Sequence, residues 1–266
     1  MSADAVYTHG HHASVLSSHQ WRTVENSAAY LVEHLRPGAS VLDIGCGPGT
    51  ITAGLADRVA PGRVVAADSA ETVLDEARRS AGGRSNIEFA VADVHALDFP
   101  DAAFDVVHAH QVLQHVADPV TALREMRRVT RPGGVVAVRD VDFGTVTWHP
   151  DPPGMDGWLP VYRAVARGNG GEPDAGRYLV SWARAAGFAD ITATASAWCF
   201  ATPEEREWWS ETWGGRMVRS AVADQAVAGG HASRDELEGF YAGWKAWAAA
   251  DDGWFSLTHG EIICRR

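Results

Sequence analysis

Short apolar runs alternate with amphipathic segments over the first half of the chain. Each apolar run is rich in valine, alanine and isoleucine, as a strand covered on both faces requires. The predicted strands are Val41–Ile44, 64–68, 87–92, 104–108 and 135–141. The predicted helices between them are 50–59, 72–80 and 119–130. This alternation predicts an α/β fold, with a mostly parallel sheet and helices on both of its faces.

The second half of the chain differs in composition. Ten of the eleven tryptophans lie beyond residue 147, and breaks rich in proline or glycine fall at 151–154 and 168–171. The predicted helical segments are 158–167, 178–186 and 203–250, and the predicted strands are 191–200 and 254–265. With these two strands the predicted sheet has seven, and the tryptophan-rich helices form an insertion beside it.

A glycine turn follows the first predicted strand. Residues 41–50 read V-L-D-I-G-C-G-P-G-T, so Gly45, Gly47 and Gly49 let the backbone turn tightly and approach a ligand. The helix after the turn points its N-terminal amides at whatever the turn holds. The dinucleotide fingerprint G-x-G-x-x-G fails here, because Thr50 stands where the third glycine belongs.

Segment 43–49, an acid followed by alternating glycines, resembles motif I of the class I S-adenosylmethionine-dependent methyltransferases. The resemblance continues in F-D-V-V at 104–107, V-L-Q-H at 112–115 and R-P-G-G at 131–134, and it covers residues 38–142. Within the family this segment is most similar to the UbiE-like branch, which methylates small metabolites. The resemblance implies a Rossmann-like fold, S-adenosylmethionine as cofactor, and methyl transfer as the activity.

Several residues are expected to bind the cofactor. Those of the glycine turn are Asp43, Gly45, Cys46, Gly47 and Gly49. Asp68 ends the next strand, where a carboxylate can accept both hydroxyls of a ribose, and Ser69 follows it. The resemblance implies that Asp93 faces the exocyclic amine of adenine while Val94 supports the ring. The structural alternatives are a turn aspartate at 68 and a helix-capping aspartate before His95.

The end of the fourth strand and the N-terminal segment complete the predicted cofactor site. His110 and Gln111 lie where the fourth strand opens onto the cofactor. The resemblance implies that the segment before motif I closes as a lid, so that Tyr7 and Arg22 contact the methionine end. The alternative for this segment is a flexible arm followed by an ordinary amphipathic helix over 18–35.

The catalytic residues stay unknown at this point. A general base is needed if the acceptor is a phenol, an enolisable carbon or a protonated amine. The candidates are His9, His11, His12, His115, Asp140 and Asp142. Of these, His115, Asp140 and His11 are named as candidate bases, although His115 can instead be a helix residue packed behind the site. We expect no metal site, because no nearby acid or cysteine completes a tetrahedral set around the N-terminal histidines.

Charge and hydropathy bear on the partners. The formal net charge of −11 argues against tight binding to nucleic acid, which depends on basic side chains. No apolar run approaches the roughly 18 to 20 residues that span a bilayer, and the N-terminus lacks the pattern of a signal peptide. We expect a cytoplasmic enzyme whose partner is a small-molecule methyl acceptor and which can form a homodimer.

The expected reaction is methyl transfer to an O, N or C atom of a small, aromatic or lipophilic metabolite, by in-line displacement. Two or three tryptophans are expected to line the acceptor pocket, with the rest in the core. One alternative is a nicotinamide-dependent oxidoreductase, which the missing glycine at Thr50 disfavours. Another is a non-catalytic methyltransferase-like scaffold, which the intact motif I disfavours.

Three regions follow from these assignments. Residues 1–36 form an N-terminal arm and lid helix, and 37–145 form the cofactor-binding core. Residues 146–266 supply the remaining strands of the sheet together with the helical insertions that cover the substrate.

Overall fold

The structure is a computed structural model, and it describes residues 21–266. Its strands are β1 (Val41–Ile44), β2 (Val64–Asp68), β3 (Ile87–Val91), β4 (Phe104–His110), β5 (Thr130–His149), β6 (Asp190–Phe200) and β7 (Trp254–Arg265). They form one sheet in the order β3-β2-β1-β4-β5-β7-β6. β7 is antiparallel to both of its neighbours, and the other pairings are parallel. This confirms the predicted seven-stranded, mostly parallel sheet.

Helices cover both faces of the sheet. They are α1 (Val24–Ser27), α2 (Thr50–Val59), α3 (Glu71–Ser80), α4 (Pro119–Val129), α5 (Trp158–Gly168), α6 (Leu179–Ala185), α7 (Pro203–Arg219), α8 (Ala221–Ala228) and α9 (Arg234–Ala249). Short 3-10 turns occur at Ala29–His34, Leu113–His115 and Ala175–Tyr178. α1 and α2 pack with apolar residues of one sheet face, while α4 and α6 pack with those of the other.

The N-terminal part of the chain departs from the predicted helix over 18–35. Its described portion is the four-residue α1 followed by a 3-10 turn. At Ala28 the backbone leaves the helical region, with φ −139° and ψ 20°, and this ends α1. The break lets Val24, Ala28 and Leu31 all reach the core. Packing against the sheet therefore overrides the continuous amphipathic pattern.

β5 is much longer than the predicted strand over 135–141. It continues to His149 because β7 pairs with it over most of this length, with a register shift between Asp142 and Thr147. The predicted division at residue 145 therefore falls inside a strand. β4 likewise continues two residues beyond its predicted end, as far as His110.

The C-terminal half has a core of its own, built mainly from aromatic side chains. Trp158, Trp244 and Trp247 are completely buried there, and their rings contact one another or Phe255. Such packing buries large apolar areas and fixes the helices against the extended part of β5. Most of the tryptophans are therefore structural.

Two glycines let the 3-10 turn Ala175–Tyr178 lie directly on the sheet. A Cβ atom on Gly260 of β7 would be 2.1 Å from the carbonyl oxygen of Gly176. Both groups in this contact belong to the backbone, so neither can move aside cheaply. The contact places the turn over β5 and β7.

We expect Gly260→Ala to lower the free energy of unfolding by about 1–3 kcal/mol, since the added methyl group overpacks a backbone contact. Urea denaturation followed by circular dichroism measures the change. Gly239→Ala is the matched control, because Gly239 is exposed on α9 with open space around it. It should stabilise the protein by up to about 1 kcal/mol through helix propensity. Equal effects from the two substitutions would contradict this account.

Candidate active site

The glycine turn has the backbone conformation that its sequence predicts. Gly45, Gly47 and Gly49 have φ values of 64°, 54° and 79°, in the region that side chains disfavour. A Cβ atom on Gly45 would also lie 2.4 Å from Cγ2 of Val112. The turn is tied to β2, because the backbone N–H of Cys46 donates to the carbonyl of Ala67 at 3.0 Å. Only glycine fits the first position of this turn.

Asp43 supports the turn from inside the sheet. Its carboxylate accepts a hydrogen bond from the hydroxyl of Thr52 at 2.5 Å and lies 2.7 Å from Nδ1 of His108. All three side chains are buried. Although Asp43 is a predicted cofactor-binding residue, both of its carboxylate oxygens already have partners within the protein. It holds β1, α2 and β4 together beneath the turn.

Asp68 lies at the mouth of the turn, at the end of β2. Its two carboxylate oxygens accept the backbone N–H groups of Gly47 and Ala70, each at 3.2 Å. The carboxylate is only partly buried, and the neighbouring Ser69 is exposed. An anionic acceptor beside a glycine turn is the arrangement that binds ribose hydroxyls in other α/β folds.

Asp93 and Val94 follow β3. Asp93 is exposed and accepts the backbone N–H of His95 at 2.9 Å, and this bond lowers the pKa of its carboxyl group. The imidazole of His95 lies 2.8 Å from the same oxygen. Val94 is buried in the core between the sheet and α4. The hydrogen bonds of Asp93 stabilise a turn and do not cap a helix, because no helix lies in the described segment between β3 and β4, and its exposure leaves it accessible.

Cys46 is buried within the turn, and burial, reinforced by Asp43 and Asp68, raises the pKa of its thiol above the ordinary range. A thiol kept protonated in this way is a poor nucleophile. Cys46 therefore acts as a small packing residue.

The end of β4 connects the turn to the other half of the sheet. Gln111 has a positive φ of 54°, and its backbone N–H donates to the carbonyl of Arg139 at 2.7 Å. Its side-chain oxygen accepts a hydrogen bond from Nη2 of Arg22 at 2.6 Å, while its amide nitrogen lies 2.8 Å from Nε2 of His259. Gln111 thus joins the N-terminal segment to β4, β5 and β7.

His110 lies beside Gln111 and is almost completely buried. Neither of its ring nitrogens has a hydrogen-bond partner among the described residues. Its ring lies 5.8 Å from that of Trp198 and 6.2 Å from that of His259. Burial, and then the charges of Arg22 and Arg139, hold the pKa of His110 well below its usual value. The imidazole is neutral at physiological pH.

Hydrogen-bond partners argue against Asp140 as a base, and a lowered pKa argues against His115. Asp140 accepts the backbone N–H groups of Leu113 and Gln114, and burial raises its pKa to about 7. It thereby fixes the 3-10 turn after β4. For His115, burial and the charges of Arg22 and Arg216 lower the pKa to about 3. His115 therefore cannot serve as a base near neutral pH.

One further candidate base can be placed. Asp142 is held by a bidentate ion pair with Arg177, at 2.6 and 2.7 Å, so it is not free to orient a substrate. Tyr7, His9, His11 and His12 lie outside the described residues.

The structure adds residues that the sequence patterns did not reveal. Arg139, in the middle of β5, pairs with Glu261 of β7 at 3.1 Å, and both are buried. Trp198 of β6 lies between this pair and His259. The only indication of this pair in the sequence is an arginine inside the apolar run V-V-A-V-R-D-V, because a buried arginine needs a partner.

The comparisons with known proteins agree on one family. A family profile described as a methyltransferase domain matches residues 42–138. The chain is 33% identical to an uncharacterized methyltransferase of Schizosaccharomyces pombe, over 98% of this chain and 96% of that protein. It is 45% identical to the ubiquinone/menaquinone biosynthesis C-methyltransferase UbiE of Hahella chejuensis, over 39% of this chain and 43% of that one. The solved structure of YcgJ from Bacillus subtilis matches with a TM-score of 0.57 at 18% identity, covering 90% of this chain and 97% of that one.

A parallel α/β sheet with a glycine turn after its first strand and an acid after its second defines a Rossmann-like protein that binds a nucleoside-containing ligand. The near full-length relative then shows the family. The chain belongs to the class I S-adenosylmethionine-dependent methyltransferases. This confirms the family, activity and cofactor that motif I predicted. The chemistry of the site fits the cofactor, because the partly buried carboxylate of Asp68 lies beside the glycine turn, where it can accept ribose hydroxyls.

Two structural observations concern metals and membranes. Within residues 21–266, no three or more histidine, cysteine, aspartate or glutamate side chains are grouped so that they could hold a metal ion. None of the helices in the same range has the length and hydrophobicity that crossing a bilayer requires.

Asp140 should give the protein a defined pH dependence. Between about pH 4 and pH 7 the unfolded carboxyl group is ionised while the folded one keeps its proton. The folded state then binds more protons, so its stability falls as the pH rises through this window. Asp140→Asn lacks this titration. We therefore expect the unmodified protein to lose stability relative to the variant as the pH rises from 4.5 to 8. The difference between their free energies of unfolding should change by roughly a few kcal/mol.

Urea denaturation at the two pH values measures this difference. The exposed Asp98 provides the control, since Asp98→Asn should follow the unmodified protein at both pH values. A constant difference between Asp140→Asn and the unmodified protein would show that Asp140 ionises normally in the fold.

Proposed function

We propose that the protein transfers the methyl group of S-adenosylmethionine to an O, N or C atom of a small, aromatic or lipophilic metabolite. One observation carries the proposal. His110 and Gln111, at the end of β4, lie between the glycine turn and a group of aromatic side chains on β6 and α7. Ile44 of β1 is paired with Ala109 of β4, so the residues that follow them, Gly45 and His110, lie side by side.

The aromatic group is centred on Trp21. Its ring lies 5.0 Å from that of Trp198, 5.5 Å from Phe200 and 5.6 Å from Trp208. Trp21 and Trp208 are only partly buried, unlike the core tryptophans. Flat apolar surfaces next to a few fixed polar groups are typical of small-molecule pockets. The name of the Hahella chejuensis relative, which refers to ubiquinone and menaquinone biosynthesis, also supports an aromatic acceptor.

We assign the cofactor to the residues of the turn and the strand ends. Gly45, Gly47 and Gly49 provide close backbone approach, and Asp68 accepts the ribose hydroxyls. Ser69, Asp93, Val94 and Cys46 complete the nucleoside side, while His110, Gln111, Arg22 and Tyr7 belong to the methionine side. Asp43 contributes by holding the turn rather than by direct contact. Residues 1–36 then act as the arm, 37–145 as the donor site, and 146–266 as the acceptor cover.

The cofactor supplies an activated methyl group on a positively charged sulfur. The protein has to hold the acceptor in line with that group and exclude water. The buried end of β4 and the aromatic side chains around Trp198 do this without a dedicated acid. No base is required from Asp140 or Asp142, whose carboxylates have other partners, or from His115, whose pKa is lowered.

Two measurements test the proposal. Calorimetric titration with S-adenosylmethionine and, separately, with NAD identifies the donor, and we expect binding of the first alone. Incubation with a panel of phenols, quinols, amines and carboxylic acids should then release S-adenosylhomocysteine with at least one aromatic member. Binding of NAD alone would support the oxidoreductase alternative. Cofactor binding without release from any acceptor would support the non-catalytic scaffold.

Asp68→Asn should weaken binding of S-adenosylmethionine about 10- to 100-fold, because the ribose hydroxyls lose a charged acceptor. Calorimetry gives the dissociation constant directly. The exposed Asp98→Asn variant, which carries the same change in charge, should bind as tightly as the unmodified protein. If both variants bound equally well, Asp68 would be a turn residue only.

A further inference from the structure

A buried row of polar side chains crosses four strands on one face of the sheet. Register places His110 of β4 beside Arg139 of β5, Arg139 beside Glu261 of β7, and Glu261 beside Thr194 of β6. His110, Arg139 and Glu261 are each less than 7% exposed. A polar row of this length inside a sheet is costly unless its groups are paired.

One end of the row is fully paired. One carboxylate oxygen of Glu261 accepts hydrogen bonds from Nε of Arg139 at 3.1 Å and from the hydroxyl of Ser196 at 2.5 Å. Its other oxygen accepts the hydroxyl of Thr194 at 2.8 Å. Both carboxylate oxygens therefore have protein donors.

The other end is not paired. Nη1 of Arg139, both ring nitrogens of His110, Nδ1 of His259 and the hydroxyl of Tyr30 are buried without a hydrogen-bond partner among residues 21–266. Each buried polar atom left in this state costs about 1–3 kcal/mol. Because His110, His259 and Arg139 surround the ring of Trp198, their unpaired atoms belong to one site. Burial raises the pKa of Tyr30 and the charge of Arg139 opposes this rise, so the tyrosine hydroxyl lies near the same arginine. Such a concentration indicates a bound group that completes the site.

The charges around the site favour a negative group. Arg139 and Arg22 both lower the pKa values of His110 and His259, in addition to the larger effect of burial. Each guanidinium also lies over the ring of Trp198, at 5.0 and 5.7 Å. Within residues 21–266 the nearby acids are Glu261, Asp140 and Asp43, and each already has hydrogen-bond partners in the protein. A proton on His110 would add a third positive charge, so His110 contributes hydrogen bonds and does not act as a base.

We propose that the methyl acceptor is an acidic hydroxyl compound, a phenol or an enol, and that Arg139, Tyr30 and His110 hold it as its oxyanion. This rests on the proposed function, because the site adjoins the methyl donor. The acceptor releases its proton to water as it binds, so no protein base takes part. The arginine and tyrosine donate to the oxygen, and the neutral imidazole donates through one ring nitrogen. The ring of Trp198 supports the guanidinium groups of Arg139 and Arg22.

The probe is 4-nitrophenol, whose anion absorbs visible light, and 4-nitroanisole is its uncharged counterpart. Titration of the full-length protein with each compound, in the presence of S-adenosylhomocysteine, gives two affinities. The absorbance of bound 4-nitrophenol against pH gives its pKa in the site. We expect the anion to bind at least about tenfold more tightly than 4-nitroanisole, with the pKa of the bound phenol lowered accordingly.

Tyr30→Phe removes one unpaired hydroxyl and little else, so the fold should survive. It should reduce the preference for the anion by about three- to tenfold. His110→Gln should reduce it as well. Tyr178→Phe, an exposed tyrosine stacked on Trp182, is the matched control and should leave the preference unchanged. Thermal denaturation of each variant checks that the fold is retained.

The inference is overturned if 4-nitrophenol does not bind, if 4-nitroanisole binds equally well, or if Tyr178→Phe has the same effect as Tyr30→Phe. Failure of the proposed function would give a different set of results. Release of S-adenosylhomocysteine with amines but not phenols would leave the methyltransferase assignment intact and reject the oxyanion site. Absence of S-adenosylmethionine binding would reject the proposed function whatever the phenol results.

Discussion

The antiparallel pairing of β5 with β7 is the constraint on which both halves of the molecule depend. It aligns Arg139 with Glu261 in the interior, and a slip of one residue would place Arg139 opposite Ile262 and turn its side chain to the other face. Breaking a buried pair by removing one partner typically costs about 3–5 kcal/mol, since an uncompensated charge remains. The ion pair therefore fixes the register, and the register fixes the position of His259 beside Gln111.

The same register brings the glycine turn close to the buried polar side chains of β4 and β5. The turn after β1 is set by Asp43 beneath it, and Asp43 is in turn held by His108 of β4. Two residues further along β4, His110 lies beside Arg139 of β5. Buried polar side chains thus follow one another from the glycine turn to the aromatic side chains around Trp198, and the ring nitrogens of His110 make no hydrogen bond within the described residues. Errors in the alignment of β4 would disturb both ends of the site.

Local features of the sequence predicted much of the fold. The glycine turn, α2 and the closing strand β7 have their predicted bounds, because short-range periodicity and glycine conformations determine them. The length of β5 and the partners of Asp140 and Asp142 could not be predicted in this way. They depend on contacts between distant segments, as with Arg139 and Glu261, which are 122 residues apart. Asp140 has the sequence position of a catalytic acid, yet folding places two backbone N–H groups against it.

The long β5–β7 ladder also has an evolutionary consequence. Its hydrogen bonds are made by the backbone and tolerate many side chains, provided that the alternation of faces is kept. The tryptophan-rich helices can therefore change their sequence while the ladder still attaches them to an unaltered donor site. On the proposed function, such a family acquires new acceptors through sequence changes in the C-terminal half, while the half that binds the methyl donor stays the same.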